Sequence, residues 1–98
     1  MALEIFWTPR AIKGLQEVVN YLEENWTIKE ILNFEKKVDD LLNKISKYPK
    51  MCPKTSKYKR VYKGLIDKNN YIIYKVKSRK ETIEIINFRG TKQKSIQH

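Results

Sequence analysis

From Thr8 onward the hydrophobic period changes once, at Tyr48-Pro49. Before that point apolar residues recur every third or fourth position: Ala11, Leu15, Val18, Val19 and Leu22, then Ile31, Phe34, Val38, Leu41, Leu42 and Ile45. That is the spacing of helices with one buried face. After it the period is two, so Ile72, Tyr74 and Val76 fall on one side of a strand and Tyr71, Ile73 and Lys75 on the other. Proline keeps the residue before it out of the helical region, which makes the boundary a chemical one. A chain that places its helices in one block and its strands in another does not build alternating strand–helix units. It layers helices on one face of a sheet.

The local signals give the order of elements. Leu3, Ile5 and Trp7 alternate with Ala2, Glu4 and Phe6 as a short first strand. Thr8 offers an N-cap and Pro9 the first helical position, where a missing N–H costs nothing. The first helix is predicted over 8–24, with Trp7 and Ile12 placed for a hydrophobic staple. Thr27-Ile28-Lys29-Glu30 is a capping box that starts a second helix over 28–47. Only a few residues separate the two, so they form a helical hairpin. A strand at 58–66, the turn Asp67-Lys68-Asn69-Asn70, a strand at 71–77 and a last strand over 82–88 complete an antiparallel meander. In the last strand Ile83 and Ile85 form one face, and Ile86 and Phe88 extend the other. The expected fold is α+β, in the order β-α-α-β-β-β, with the helical hairpin on one face of a small, mainly antiparallel sheet.

At 98 residues the chain is expected to form a single domain, 1–98. The start "MALEIFWTPR" lacks a basic segment followed by a long apolar run, and no stretch is long enough to span a bilayer. A soluble cytoplasmic protein is expected. Cys52 is a lone thiol, and the single histidine, His98, is the last residue, so a Cys–His nucleophile is not indicated. Glu35, Asp39 and Asp40 read as a solvated helix face. Neither a metal nor a cofactor is expected.

Charge is the informative composition. Residues 1–49 carry seven Lys/Arg against eight Asp/Glu, whereas residues 50–98 carry fourteen against three. Self-repulsion on that scale destabilises a compact chain, and a polyanionic partner relieves it. Nucleic acid and an acidic protein segment both fit. The stretch "YKRVYKGLIDKNNYIIYKV" concentrates the pattern, with five basic residues among its tyrosines. The helices can cover only one face of the sheet. The other is free to hold phosphate with cations and to stack unpaired bases on rings. The same residues also have a plain reading: tyrosine favours strands, and lysine stems cover apolar surface.

Four segments, in this order, carry a resemblance: "FWTPRAIKGLQEVVNYLEENW", "YPKMCPKT", the hairpin quoted above and "IEIINFRGTKQKS". Nearly the whole chain resembles a toxin of the RelE/ParE superfamily, the small basic proteins of bacterial type II toxin–antitoxin pairs. The tail reads as a variant of F-D-T-R-Q-N-P, with Lys92 where many relatives place Arg. The resemblance implies an acidic, partly disordered antitoxin partner that folds along the toxin. It also implies an activity: ribosome-associated mRNA cleavage, as in RelE-like members, is the expectation here, with inhibition of DNA gyrase without nuclease activity, as in ParE-like members, or a non-toxic nucleic-acid-binding module as the alternatives. The RelE-like pattern Y-R-x-x-Y is met here by Tyr71-Ile72-Ile73-Tyr74, without its Arg. The terminal His-Tyr or Tyr of some nuclease members is replaced by Gly90-Thr91. Lys54, Lys57, Lys59, Arg60, Arg89 and Lys92 remain as candidate nucleic-acid contacts. Of these, Arg60, Arg89 and Lys92 are the candidates for stabilising a phosphorane. Tyr74 is a conceivable proton donor, but its inward parity favours the core.

Overall fold

The computed structural model describes residues 2–55 and 60–90. Strand β1 (Glu4–Trp7) leads into helices α1 (Pro9–Asn25) and α2 (Ile28–Lys47), and strands β2 (Val61–Leu65), β3 (Asn70–Lys77) and β4 (Thr82–Gly90) follow. The sheet order is β1-β4-β3-β2. Both hairpins of the meander are antiparallel, and β1 runs parallel to β4. The α+β order expected from the sequence is therefore the order found.

The caps work as the sequence indicates. Thr8 accepts from the Ala11 N–H, with Pro9 in the first turn of α1. Thr27 Oγ1 accepts from Glu30 N at 3.2 Å, and Glu30 Oε1 accepts from Thr27 N at 3.0 Å, closing the capping box. The staple pairing of Trp7 with Ile12 is not what anchors Trp7. Its ring stacks on Phe88 at 6.2 Å between centroids, while Ile12 stays 44% exposed. Trp26, Phe34 and Phe88 continue that aromatic cluster edge to face, so Trp7, Trp26 and Phe34 are packing residues. The core lies between the helices and one face of the sheet, with Ala11, Val18, Phe34 and Ile45 opposed to Ile72, Tyr74, Ile83 and Ile85.

Two departures from simple alternation matter. Opposite Ile73 and Tyr74 of β3, β4 presents Asn87 and Ile85, so Ile86 is an inserted bulge residue. The insertion shifts the parity, and Phe88 returns to the inner face with Ile83 and Ile85 at 1% exposure. The expectation that Phe88 lies on the opposite face is corrected by this bulge. The Thr8 hydroxyl donates toward the Ile85 and Ile86 carbonyls, at 2.7 and 3.1 Å, and ties the bulge to the start of α1. The second departure is Arg60, with φ of 61°, a left-handed conformation that ends any strand. β2 is described from Val61, and positions 58 and 59 of the predicted strand lie outside the described residues. The turn before β3 is built as expected, with Asp67 Oδ1 accepting from the Asn69 and Asn70 N–H groups at 2.7 and 2.9 Å.

Candidate functional site

The face of the sheet turned away from the helices is assembled by strand register. One rung crosses Leu65, Tyr71 and Arg89; the next crosses Lys63, Ile73 and Asn87. A third crosses Val61, Lys75, Glu84 and Phe6. Lys63 lays its ammonium over the Tyr71 ring, 4.3 Å from the centroid. Lys77 pairs with Glu84 at 3.0 Å. Lys75 and Arg89 are exposed and have no ion-pair partner among the described residues. The result is an outer surface of cations around a tyrosine, with Leu65, Ile73 and Phe6 as its apolar side chains and Val61 buried beneath.

The structure places the sequence candidates unevenly. Arg89 stands on this face beside Tyr71. Lys54 bridges to Tyr62 from the chain segment that flanks β2, and its side chain is exposed. Arg60 sits at the other end of the hairpin, where its carbonyl accepts from Val76 N at 3.0 Å. Between the levels of Arg89 and Arg60 lie five residue steps of β3, about 17 Å, and the two strands are separated by two strand spacings, about 10 Å. The two arginines thus stand well apart, Arg89 on the outer face and Arg60 where the chain enters β2. Lys57, Lys59, Lys92 and His98 lie outside the described residues. Lys63 and Lys75 belong to the face but not to the candidate set above; their parity relative to Tyr71 and Ile73 is the signal that finds them.

Tyr74 is a core residue. It is fully buried, stacks on Tyr62 at 5.4 Å, and donates its phenol proton to the Pro49 carbonyl at 2.9 Å. Burial, reinforced by the Cys52 side chain, pushes its ionisation far above the ordinary tyrosine range. It therefore has neither the access nor the acidity of a proton donor to substrate. Cys52 is a free, partly buried thiol that packs against the core. No cluster of metal-ligating side chains occurs among the described residues, and no described helix is long and apolar enough to cross a membrane.

Two grooves flank the sheet. One, of about 430 Å³, opens between α1 and α2 over Trp7, Leu15, Phe34 and Val38, with Glu35 and Asp39 on its wall. The other, of about 450 Å³, lies between α2 and β2 and is lined by Leu41, Met51, Cys52, Pro53, Lys63 and Leu65. The second is predominantly apolar and has a lysine at its mouth, continuous with the cationic face.

No curated protein sequence matches this chain. Solved structures do share its fold. The RelBE2 toxin–antitoxin complex of Mycobacterium tuberculosis contains a chain with a TM-score of 0.64 at 11% identity, covering 92% of each chain. A mutant of the E. coli RelE toxin in the free state gives 0.63 at 17% identity, over 98% of this chain and 90% of that one. The Staphylococcus aureus YoeB dimer gives 0.61 at 21% identity, over 91% and 97%. The family model described as the ParE toxin of the type II toxin–antitoxin system parDE matches residues 5–94, and the chain belongs to that family of toxins.

Proposed function

We propose that this protein is a toxin that disables its target by binding it through the cationic sheet face, and that an acidic antitoxin segment neutralises it by covering that face. The observation that carries the reading is the exposed set Lys63, Lys75 and Arg89 around Tyr71, on the one sheet face the helices leave free. Lys54, Lys57, Lys59, Arg60 and Lys92 extend the cationic set in this proposal. The α2–β2 groove supports the partner assignment. A short extended acidic-and-apolar segment finds there an apolar slot, Lys63 at its mouth and the open backbone of Leu65 beside it.

Of the two activities that the resemblance implies, inhibition of DNA gyrase fits the geometry better. It requires no cleavage chemistry, whereas cleavage needs a base, an acid and clustered cations at one phosphate. Arg60 and Arg89 are spread along the hairpin and Tyr74 is sealed in the core. Ribosome-associated mRNA cleavage is the second reading, favoured by the tyrosine–cation pairing on the face. Two assays on purified protein separate them. The expected outcome is loss of gyrase supercoiling, with no new mRNA 5′ ends in a cell-free translation reaction. New 5′ ends that appear only with ribosomes present, alongside normal supercoiling, would establish the second reading instead. In whichever assay the wild type is active, Arg89→Ala with Lys92→Ala is expected to reduce the effect at least about tenfold, since each removes a cation from the proposed binding set.

A further inference from the structure

We propose that β1 is a self-pairing edge, through which two copies of this chain join antiparallel about Phe6 into one continuous sheet. The parallel ladder to β4 uses the backbone of alternate residues: Glu4 N bonds Glu81 O at 3.1 Å and Thr8 N bonds Ile85 O at 3.2 Å. The N–H and C=O groups of Ile5 and Trp7 therefore point away from the sheet, and they have no partner among the described residues. In an antiparallel pair centred on Phe6, Ile5 falls opposite Trp7 of the second copy and the two exchange both backbone bonds. Symmetry repeats the exchange, so all four open groups on each chain are satisfied.

The boundaries of the edge agree with that register. Thr8 is still extended, with φ −75° and ψ 157°, so the extended window runs from Glu4 to Thr8 and is centred on Phe6. On one side it ends at Leu3, whose N–H and C=O are both held by Ser46. On the other it ends at Pro9, which has no N–H and starts α1. These two ends would face each other across the pair, so pairing stops at the same rung on both sides.

The side chains fit as well. Phe6 is 57% exposed on the outer face and would lie on the two-fold axis against its own copy, at a non-hydrogen-bonded position where side chains approach closely. Ile5 and Trp7, both half-buried, would cover each other on the inner face. Glu4 would oppose Thr8, so no like charges meet. The other edge of the sheet is guarded as far as Lys63. The 53–55 segment bonds β2 through Thr55 N to Val61 O at 2.8 Å and Lys63 N to Pro53 O at 2.9 Å, and Lys63 adds a charge. β1 between Ile5 and Trp7 carries no proline, lysine or covering segment, which is what an edge reserved for a copy of itself requires.

The test does not depend on toxicity. Sedimentation of the purified full chain over a concentration series is expected to show a monomer–dimer equilibrium. Phe6→Lys, which changes an exposed side chain and places two ammoniums on the axis, should weaken that equilibrium at least about tenfold while the monomer stays folded by circular dichroism. In a Cys52→Ala background, Phe6→Cys should cross-link two chains under mild oxidation much faster than Glu4→Cys, because only position 6 meets itself in the register. A wild type that stays monomeric to its solubility limit overturns the proposal. So does a dimer that survives Phe6→Lys, or equal cross-linking at positions 4 and 6.

Discussion

Gly14→Ala is expected to destabilise the domain by at least about 3 kcal/mol, a large share of the roughly 5–15 kcal/mol typical of a folded domain. In an exposed helix the same change is stabilising by about 1 kcal/mol, because alanine is the better helix former. Here the sign reverses for a steric reason. A Cβ at Gly14 would stand 2.2 Å from the Phe88 carbonyl oxygen and 3.3 Å from the Phe88 Cβ. The obstacle is backbone, and β4 cannot retreat, since it is paired with β1 on one side and β3 on the other. Relief would require lifting α1 off the sheet and opening the contact between Val18, Phe34 and Phe88. Urea denaturation of the two proteins measures the difference. An alanine variant as stable as the wild type would show that α1 lies farther from β4 than described.

Raising the pH above about 10 is expected to destabilise the protein through Tyr74, at up to about 1.4 kcal/mol per pH unit. The sign follows from proton uptake. Folding raises the ionisation of this phenol far above its ordinary value, mainly by burial. Below pH 10 both states keep the proton and the contribution is fully present. Above it the unfolded chain releases the proton while the folded chain retains it, so stability falls as pH rises. Tyr74→Phe removes this dependence and also deprives the Pro49 carbonyl of its donor, a loss of about 1 kcal/mol near neutrality. The wild type's lead in unfolding midpoint over the variant should therefore shrink above about pH 10 and reverse by about pH 12. Midpoints that run parallel over that range would show that the Tyr74 phenol reaches solvent.

Much of this architecture is legible in the residues. Thr8-Pro9 and the Thr27 capping box fix both helix starts by local chemistry, and alternation through 71–76 assigns β3 its faces, including the burial of Tyr74. What is not legible depends on partners distant in sequence. A bulge adds one residue without any special residue type at Ile86; only the Thr8 hydroxyl, 78 positions away, shows why the parity shifts there. The left-handed Arg60 is hidden because strand propensity on both sides argues for continuity. Parallel pairing of β1 with β4 joins the two ends of the chain, which no local pattern reports. The cationic face is half legible. Its cations were countable, but register alone brings Lys63 and Lys75 together with Arg89 and leaves Arg60 at the far end.

The most direct test of the central claim is induced expression of the wild type and of a Lys63→Glu, Lys75→Glu, Arg89→Glu triple variant in growing cells, with viable counts followed over time. All three side chains are exposed on the outer face, so the variant should fold, which circular dichroism and thermal melting of the purified protein can verify. The account predicts growth arrest by the wild type and at least about tenfold weaker killing by the folded variant, because charge reversal both removes phosphate contacts and adds repulsion. Full toxicity in a folded triple variant, or no toxicity in the wild type, would contradict it.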